Sequence, residues 1–153
     1  KNKAKIRSFL TGFSIIELLV VIGIIALLAS LVLASLSTTR DKARDAAIKS
    51  ELVQLRSQAE LFFAKNGKYA NTVATNCSIT PNTMFSTLDT NIIALINKIE
   101  ADSGTSAYCS VDTNPARWAV YSSLRTNPAL YWCVDSKGVS KQTITKPNYS
   151  CPP

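Results

Sequence analysis

Apolar and polar positions divide this chain into three regimes. From Leu18 to Leu36 run nineteen residues without a charge, interrupted only by Gly23, Ser30 and Ser35. At ~1.5 Å per helical residue the run is roughly 28 Å long, close to the ~30 Å hydrocarbon core of a bilayer. After Leu36 the pattern turns amphipathic: Ile48, Leu52, Leu55, Ala59 and Phe62 recur in steps of four and three and define one helical face. Between Phe13 and Ala64 there is no proline, and Gly23 is the only glycine. Together the two regimes predict one long helix over residues 13–65, a rod of ~75 Å. Its first half, 13–36, is apolar all round, and its second half, 37–65, is amphipathic. Asn66-Gly67 is the stop signal, because glycine accepts the left-handed conformation that ends helices. On the exposed side of the second half, Asp41 with Arg44 and Asp45 with Lys49 are spaced to meet across one turn.

Beyond residue 66 the pattern is mixed. Residues 70–85, rich in Thr, Asn and Ser, read as an irregular loop holding Cys77. Leu88, Ile92, Leu95, Ile96 and Ile99 share one face of a short helix, which Thr87, Asp89 or Thr90 could cap. Residues 102–114 read as loop again and hold Cys109. Then strand signals follow: Trp118 and Val120 alternate with Ala119 and Tyr121, Leu130 to Val134 is rich in aromatic residues, and Val139 to Ile144 follows. Asn127-Pro128 and Asp135-Ser136-Lys137-Gly138 are the turns between them. The expected fold class is α+β: a long N-terminal α-helix, its apolar half projecting and its amphipathic half packed against a small C-terminal antiparallel β-sheet head. The expected divisions are a leader at 1–12, the helix at 13–65, and a head at 66–153 closed by a tail that contains Cys151.

Charge sharpens the picture at one end. Of seventeen Lys and Arg, four (Lys1, Lys3, Lys5 and Arg7) precede the apolar run, and the net charge of +7 falls to +3 without residues 1–12. Basic residues flanking a first hydrophobic segment keep that end in the cytoplasm, so the head is expected outside. So small a residual charge gives nucleic-acid binding no support, though it does not bar it. At the mouth of the run stands one carboxylate, Glu17. An unpartnered acid in apolar surroundings is costly and commonly marks function; the plainer reading is a carboxylate reaching the headgroup layer.

The stretch Gly12-Phe13-Ser14-Ile15-Ile16-Glu17-Leu18-Leu19-Val20-Val21 resembles the class III signal of bacterial type IV pilins and type II secretion pseudopilins. The resemblance is specific over residues 5–36. Asn66-Gly67-Lys68-Tyr69 is similar to a turn common after the long helix in that family, with Ala70 in place of its proline. The resemblance implies cleavage between Gly12 and Phe13 by a prepilin peptidase and N-methylation of Phe13. It also implies assembly through Glu17, Leu18, Leu19, Val20 and Val21, the acid neutralising the amino terminus of a neighbouring copy. An α-amino group with a pKa near ~7.7–8.0 is largely protonated at neutral pH and supplies the matching charge. The chain departs from many major pilins in having Ala34 where a proline is usual. It also has no acid in its last eighteen residues, so the calcium loop of many pseudopilins is not expected.

Four cysteines, Cys77, Cys109, Cys133 and Cys151, lie on the outer side in this orientation. An even count in an exported domain points to two disulfides, with three pairings open. With no histidine and no C-x-x-C pair, a zinc site has little to build on. We expect Cys133 with Cys151, which would tie the tail to a strand and is similar in position to the C-terminal disulfide loop of many pilins. Cys77 with Cys109 would clasp the loops before and after the short helix. No metal, cofactor or catalytic group is expected: the chain has no G-x-S-x-G elbow and no glycine-rich phosphate loop. Asp112 and Asp135 read as solvated acids beside turns. Trp118, Tyr121, Tyr131 and Trp132 could form a stacking face, but at strand positions they read first as core.

The expected function is a structural subunit of a type IV pilus-like extracellular filament. Its expected partners are further copies of itself, the membrane before assembly, prepilin peptidase and the assembly machinery. It would sit in the inner membrane as a precursor and later on the cell surface. The alternatives are a pseudopilin of a secretion or DNA-uptake system, and a single-pass anchored binding domain that never polymerises.

Overall fold

The computed structural model describes residues 12–77, 81–86, 90–113, 117–146 and 148–152. Residues 1–11 of the expected leader, and the possible caps Thr87 and Asp89, lie outside the described residues. Helix α1 spans Ile15–Asn66 without interruption. Ser30 within its apolar part donates its hydroxyl to the Leu27 carbonyl (2.8 Å), so a polar side chain is satisfied by its own helix. Gly67, with φ +72°, ends α1 and donates its N–H to the Phe63 carbonyl at 2.7 Å. The chain divides into two compact units, Lys1–Ser37 and Thr38–Pro153.

In the second unit α1 is followed by α2 (Thr90–Ser103), then β1 (Tyr108–Val111), β2 (Trp118–Ser123), β3 (Tyr131–Asp135) and β4 (Ser140–Thr143). The four strands form one antiparallel meander in the order β1-β2-β3-β4. The architecture is α+β and pilin-like. Ile48, Leu52, Leu55 and Ala59 of α1 are fully buried with Ile92 and Ile99 of α2 and with Val111, Trp118, Val120 and Val134 of the sheet. The helical period of the first set and the alternation of the last meet in this one core. Each such buried aliphatic or aromatic side chain contributes about 1.5–3 kcal/mol.

Strand β1 occupies a stretch read from sequence as loop. It pairs with β2 across a six-residue connection, Tyr108 with Tyr121 and Val111 with Trp118, and four residues give too short a run to signal a strand alone. Nor is β2 half exposed as its alternation suggests; all six residues are buried. Trp118 and Val120 face the main core, while Ala119 and Tyr121 join Cys133 and Cys151 in a second cluster under the C-terminal tail. Trp118 and Tyr121 are therefore core, and Tyr131 and Trp132 are half-buried. Tyr121 stacks on Tyr108 (4.9 Å between centroids) and meets Tyr131 edge-on (5.6 Å). Burial, then the neighbouring phenols of Tyr108 and Tyr131, pushes the Tyr121 phenol above its ordinary pKa.

Three acids depart from their expected roles because tertiary neighbours claim them. Asp45, 7 % exposed, accepts the Arg125 N–H at 2.5 Å and the N–H and hydroxyl of Thr126, fastening α1 to the β2–β3 connection. Lys49 instead lies over the Trp132 ring, 4.7 Å from its centroid. Asp41 pairs with Arg125 (Nε to Oδ1, 3.8 Å). Asp135, read as solvated, is 1 % exposed: Oδ1 accepts the N–H groups of Lys137 and Val139 at 3.0 Å each, and Oδ2 accepts that of Cys151 at 2.9 Å. One carboxylate thus shapes the β3–β4 turn and holds the tail.

Candidate assembly site

The residues singled out from sequence for processing and assembly stand together at the start of α1. Gly12, Phe13 and Ser14 precede the first helical turn and are exposed, Phe13 by 79 %. The Ser14 carbonyl accepts the Leu18 N–H at 3.2 Å, so Ser14 is the residue before the first turn. Glu17 turns back towards it, and its Oε2 accepts the Ser14 N–H at 2.9 Å. This is one arm of a capping box, in which the third helical residue returns to the cap's backbone donor. The carboxylate also lies where the positive end of the helix dipole favours an anion. Sequence reasoning singled out Glu17 as an unpartnered acid and missed this local partner, although Ser14-x-x-Glu17 is the standard signature for it.

Leu18, Leu19, Val20 and Val21 complete the next turn, and all four are exposed. The exposure continues along the run: every large apolar side chain from Ile15 to Leu33 is at least 46 % accessible. A helix apolar on all sides does not rest in water; it belongs in lipid or against other apolar helices. The helix is long and apolar enough to cross a membrane.

The second unit holds both disulfides. The sulfurs of Cys77 and Cys109 are 2.01 Å apart on the core face of β1, and those of Cys133 and Cys151 are 2.02 Å apart on the outer face of β3. No cysteine is free. Among the described residues no group of His, Cys, Asp and Glu could hold a metal ion. A surface cavity of the second unit beside the end of α1 is lined by Lys65, Lys68, Asn71 and Asn82 among others, with no acid among its lining residues.

Fold and site together define a pilin-like α+β protein whose N-terminal helix begins with an exposed Gly-Phe junction and a capping glutamate. Two curated relatives bear the family resemblance out. The chain is 38 % identical over 61 residues to the type II secretion system core protein G of Klebsiella michiganensis, covering 40 % of this chain and 43 % of the relative. It is also 38 % identical over 61 residues to the protein of the same name from Dickeya chrysanthemi, covering 40 % of each. The chain thus spans less than half the length of the curated relatives it matches. No protein-family model matches it, and no solved structure does.

Proposed function

We propose that this chain is the structural subunit of a type IV pilin-like filament, held in the membrane by α1 before assembly and packed through it afterwards. The observation that carries the reading is the uncharged run of α1, exposed on every side and opened by Gly12-Phe13 and Glu17. In this reading a prepilin peptidase cuts after Gly12 and methylates Phe13, and the protein's act is polymerisation rather than catalysis. The names of the two relatives favour a secretion pseudopilus over a surface pilus. Deleting the chain should then abolish protein secretion while surface pili persist; the converse phenotype would restore the pilus reading.

The decisive experiment is the intact mass of the chain in a fraction sheared from cells or from isolated filaments. We expect a polypeptide beginning at Phe13, heavier by one methyl group and lighter by four thiol hydrogens. Recovery only from membranes, with residues 1–12 attached, would leave a plain single-span anchor. Glu17 needs a separate test, because its cap and its charge are different properties. Glu17→Gln keeps an oxygen that can accept the Ser14 N–H and removes the charge. We expect it to lower assembled material at least tenfold while the membrane level of the subunit stays unchanged. Normal assembly of Glu17→Gln would assign Glu17 to capping alone.

A further inference from the structure

Where α1 ends, two short segments pair beside it. Ala70 and Thr83 form an antiparallel bridge, with the Asn71 N–H on the Asn82 carbonyl and the Met84 N–H on the Tyr69 carbonyl, each at 2.8 Å. Asn82 holds a left-handed conformation, φ +62°, which asparagine tolerates better than most residues. This clasp and the last turn of α1 line a cavity of about 290 Å³, near the lower end of the ~300–1,000 Å³ range of small-molecule sites. The half-buried Phe62 gives it one apolar wall.

The rest of the wall carries positive charge that no acid balances. Lys65 and Lys68 both line the cavity, and among the described residues neither is paired with a carboxylate. Glu60, the acid closest to them in sequence, accepts the Tyr69 hydroxyl instead, at 2.8 Å. Lysines at a helix C-terminus often serve its last carbonyls. Here the Phe62 carbonyl takes the Asn66 Nδ2 donor at 2.9 Å and the Phe63 carbonyl takes the Gly67 N–H at 2.7 Å, so those groups are served already. A buried hydroxyl is also unused. The Thr83 hydroxyl accepts the Phe85 N–H at 3.1 Å, whereas that of Ser86, a cavity residue only 4 % exposed, has no hydrogen-bond partner among the described residues. Such a group costs free energy that a bound oxygen would recover.

We propose that this cavity binds a sugar unit bearing one negative charge, as a carboxylate or as a phosphate ester. The anionic group meets the ammoniums of Lys65 and Lys68, in charge-assisted hydrogen bonds stronger than neutral ones. The ring hydroxyls meet the carboxamides of Asn71 and Asn82 and the hydroxyl of Ser86, groups that both donate and accept. The C–H face of the ring lies against Phe62. A neutral sugar leaves both ammoniums unmatched. A bare anion leaves Ser86, the carboxamides and the Phe62 wall without a function. Only a ligand with charge, hydroxyls and an apolar face uses all of them.

The test titrates the full chain, held in micelles of an uncharged detergent, with glucuronate, glucose 6-phosphate, glucose and inorganic phosphate. The side-chain amide NMR signals of Asn71 and Asn82 report binding. We expect glucuronate or glucose 6-phosphate to shift both signals saturably and to bind about tenfold or more tighter than glucose or inorganic phosphate. The tighter of the two identifies the source as an acidic polysaccharide or a phosphorylated sugar. Lys65→Gln with Lys68→Gln should weaken that ligand about tenfold with both disulfides formed. Lys137→Gln with Lys141→Gln, which removes the same charge elsewhere on the head, should leave its affinity within about twofold. Ser86→Ala should weaken it about threefold or more, with an unchanged urea midpoint. Absence of a saturable shift with either charged sugar would overturn the proposal. So would equal affinity for glucose or for inorganic phosphate, equal losses in the two lysine pairs, or an unchanged affinity in Ser86→Ala.

Discussion

Glu51 is the residue whose environment makes the sharpest demand on stability. Its side chain is 2 % exposed, and the ammonium of Lys98, itself 65 % exposed, reaches in to 2.8 Å from Oε1. That hydrogen bond holds the Lys98 ammonium above its ordinary pKa. Oε2 has no hydrogen-bond partner among the described residues. Removing the lysine alone would leave the buried carboxylate without its cation, so Lys98→Met should lower the midpoint of urea unfolding. Glu51→Gln with Lys98→Met should recover much of that loss, and equal costs for the single and double variants would show that the ion pair is not the cause. Tyr69 sets the alkaline limit. Burial, and then the hydrogen bond its hydroxyl donates to Glu60 (2.8 Å), pushes its phenol from 10.0 to about 12. Above pH 10 the unfolded chain releases this proton while the folded chain retains it, so stability falls as pH rises from 10 towards 12 and is intact below 10. Tyr69→Phe should flatten that part of the stability-versus-pH curve; an unchanged slope would remove Tyr69 from the account. Neither demand is visible in the sequence, where Glu51 is one acid among ten and Tyr69 a residue after a turn. Their partners lie 47 and 9 residues away, and only folding selects them.

At the scale of elements, what could be read from sequence was what local periodicity controls. The span of α1, its stop at Gly67, the short second helix and the turn at Gly138 each follow from spacing within a few residues. The tail and β1 do not: β1 is only four residues long and is fixed on its other side by the far-off Ala74, whose N–H and C=O exchange hydrogen bonds with Val111 at 3.0 and 2.8 Å. The tail is held at Cys151 by the disulfide to Cys133 and by the carboxylate of Asp135. It crosses the outer sheet face again where Ser110 donates its hydroxyl to the Asn148 carbonyl. Closing a loop of 17 intervening residues is worth about 3 kcal/mol in the chain-entropy account. We expect Cys133→Ser with Cys151→Ser to lower unfolding free energy by about that amount and to expose the Tyr108, Tyr121 and Tyr131 cluster to solvent. Tyrosine fluorescence quenching by iodide reads the second effect. Loss of stability without any gain in quenching would mean that the disulfide acts on the unfolded chain and not by holding the tail over the sheet.

For the whole molecule, folding and assembly are assigned to different lengths of one chain. Among the described residues, every member of the two buried clusters, both disulfides and the ion pairs Lys98–Glu51 and Arg125–Asp41 belong to Thr38–Pro153. Among the described residues, the first unit contributes no side chain to either cluster. A chain beginning at Thr38 keeps a threonine at 38 or 39 to serve as a new N-cap, and its first core residue on α1, Ile48, lies more than two turns further in. It also keeps thirteen basic and nine acidic residues, a net charge of +4, which opposes association in water. We expect this fragment to be soluble without detergent, monomeric by sedimentation at micromolar concentration, and fully oxidised at its four cysteines. Its thermal midpoint should lie within a few degrees of that of the head in the full, detergent-held chain. Stable dimers of the fragment would overturn the expected monomer, and an unfolded or aggregated fragment would mean that residues 12–37 take part in folding. With neither outcome, the apolar run has no structural debt to the head, and its length and lack of charge answer only to the membrane and to other copies of the chain.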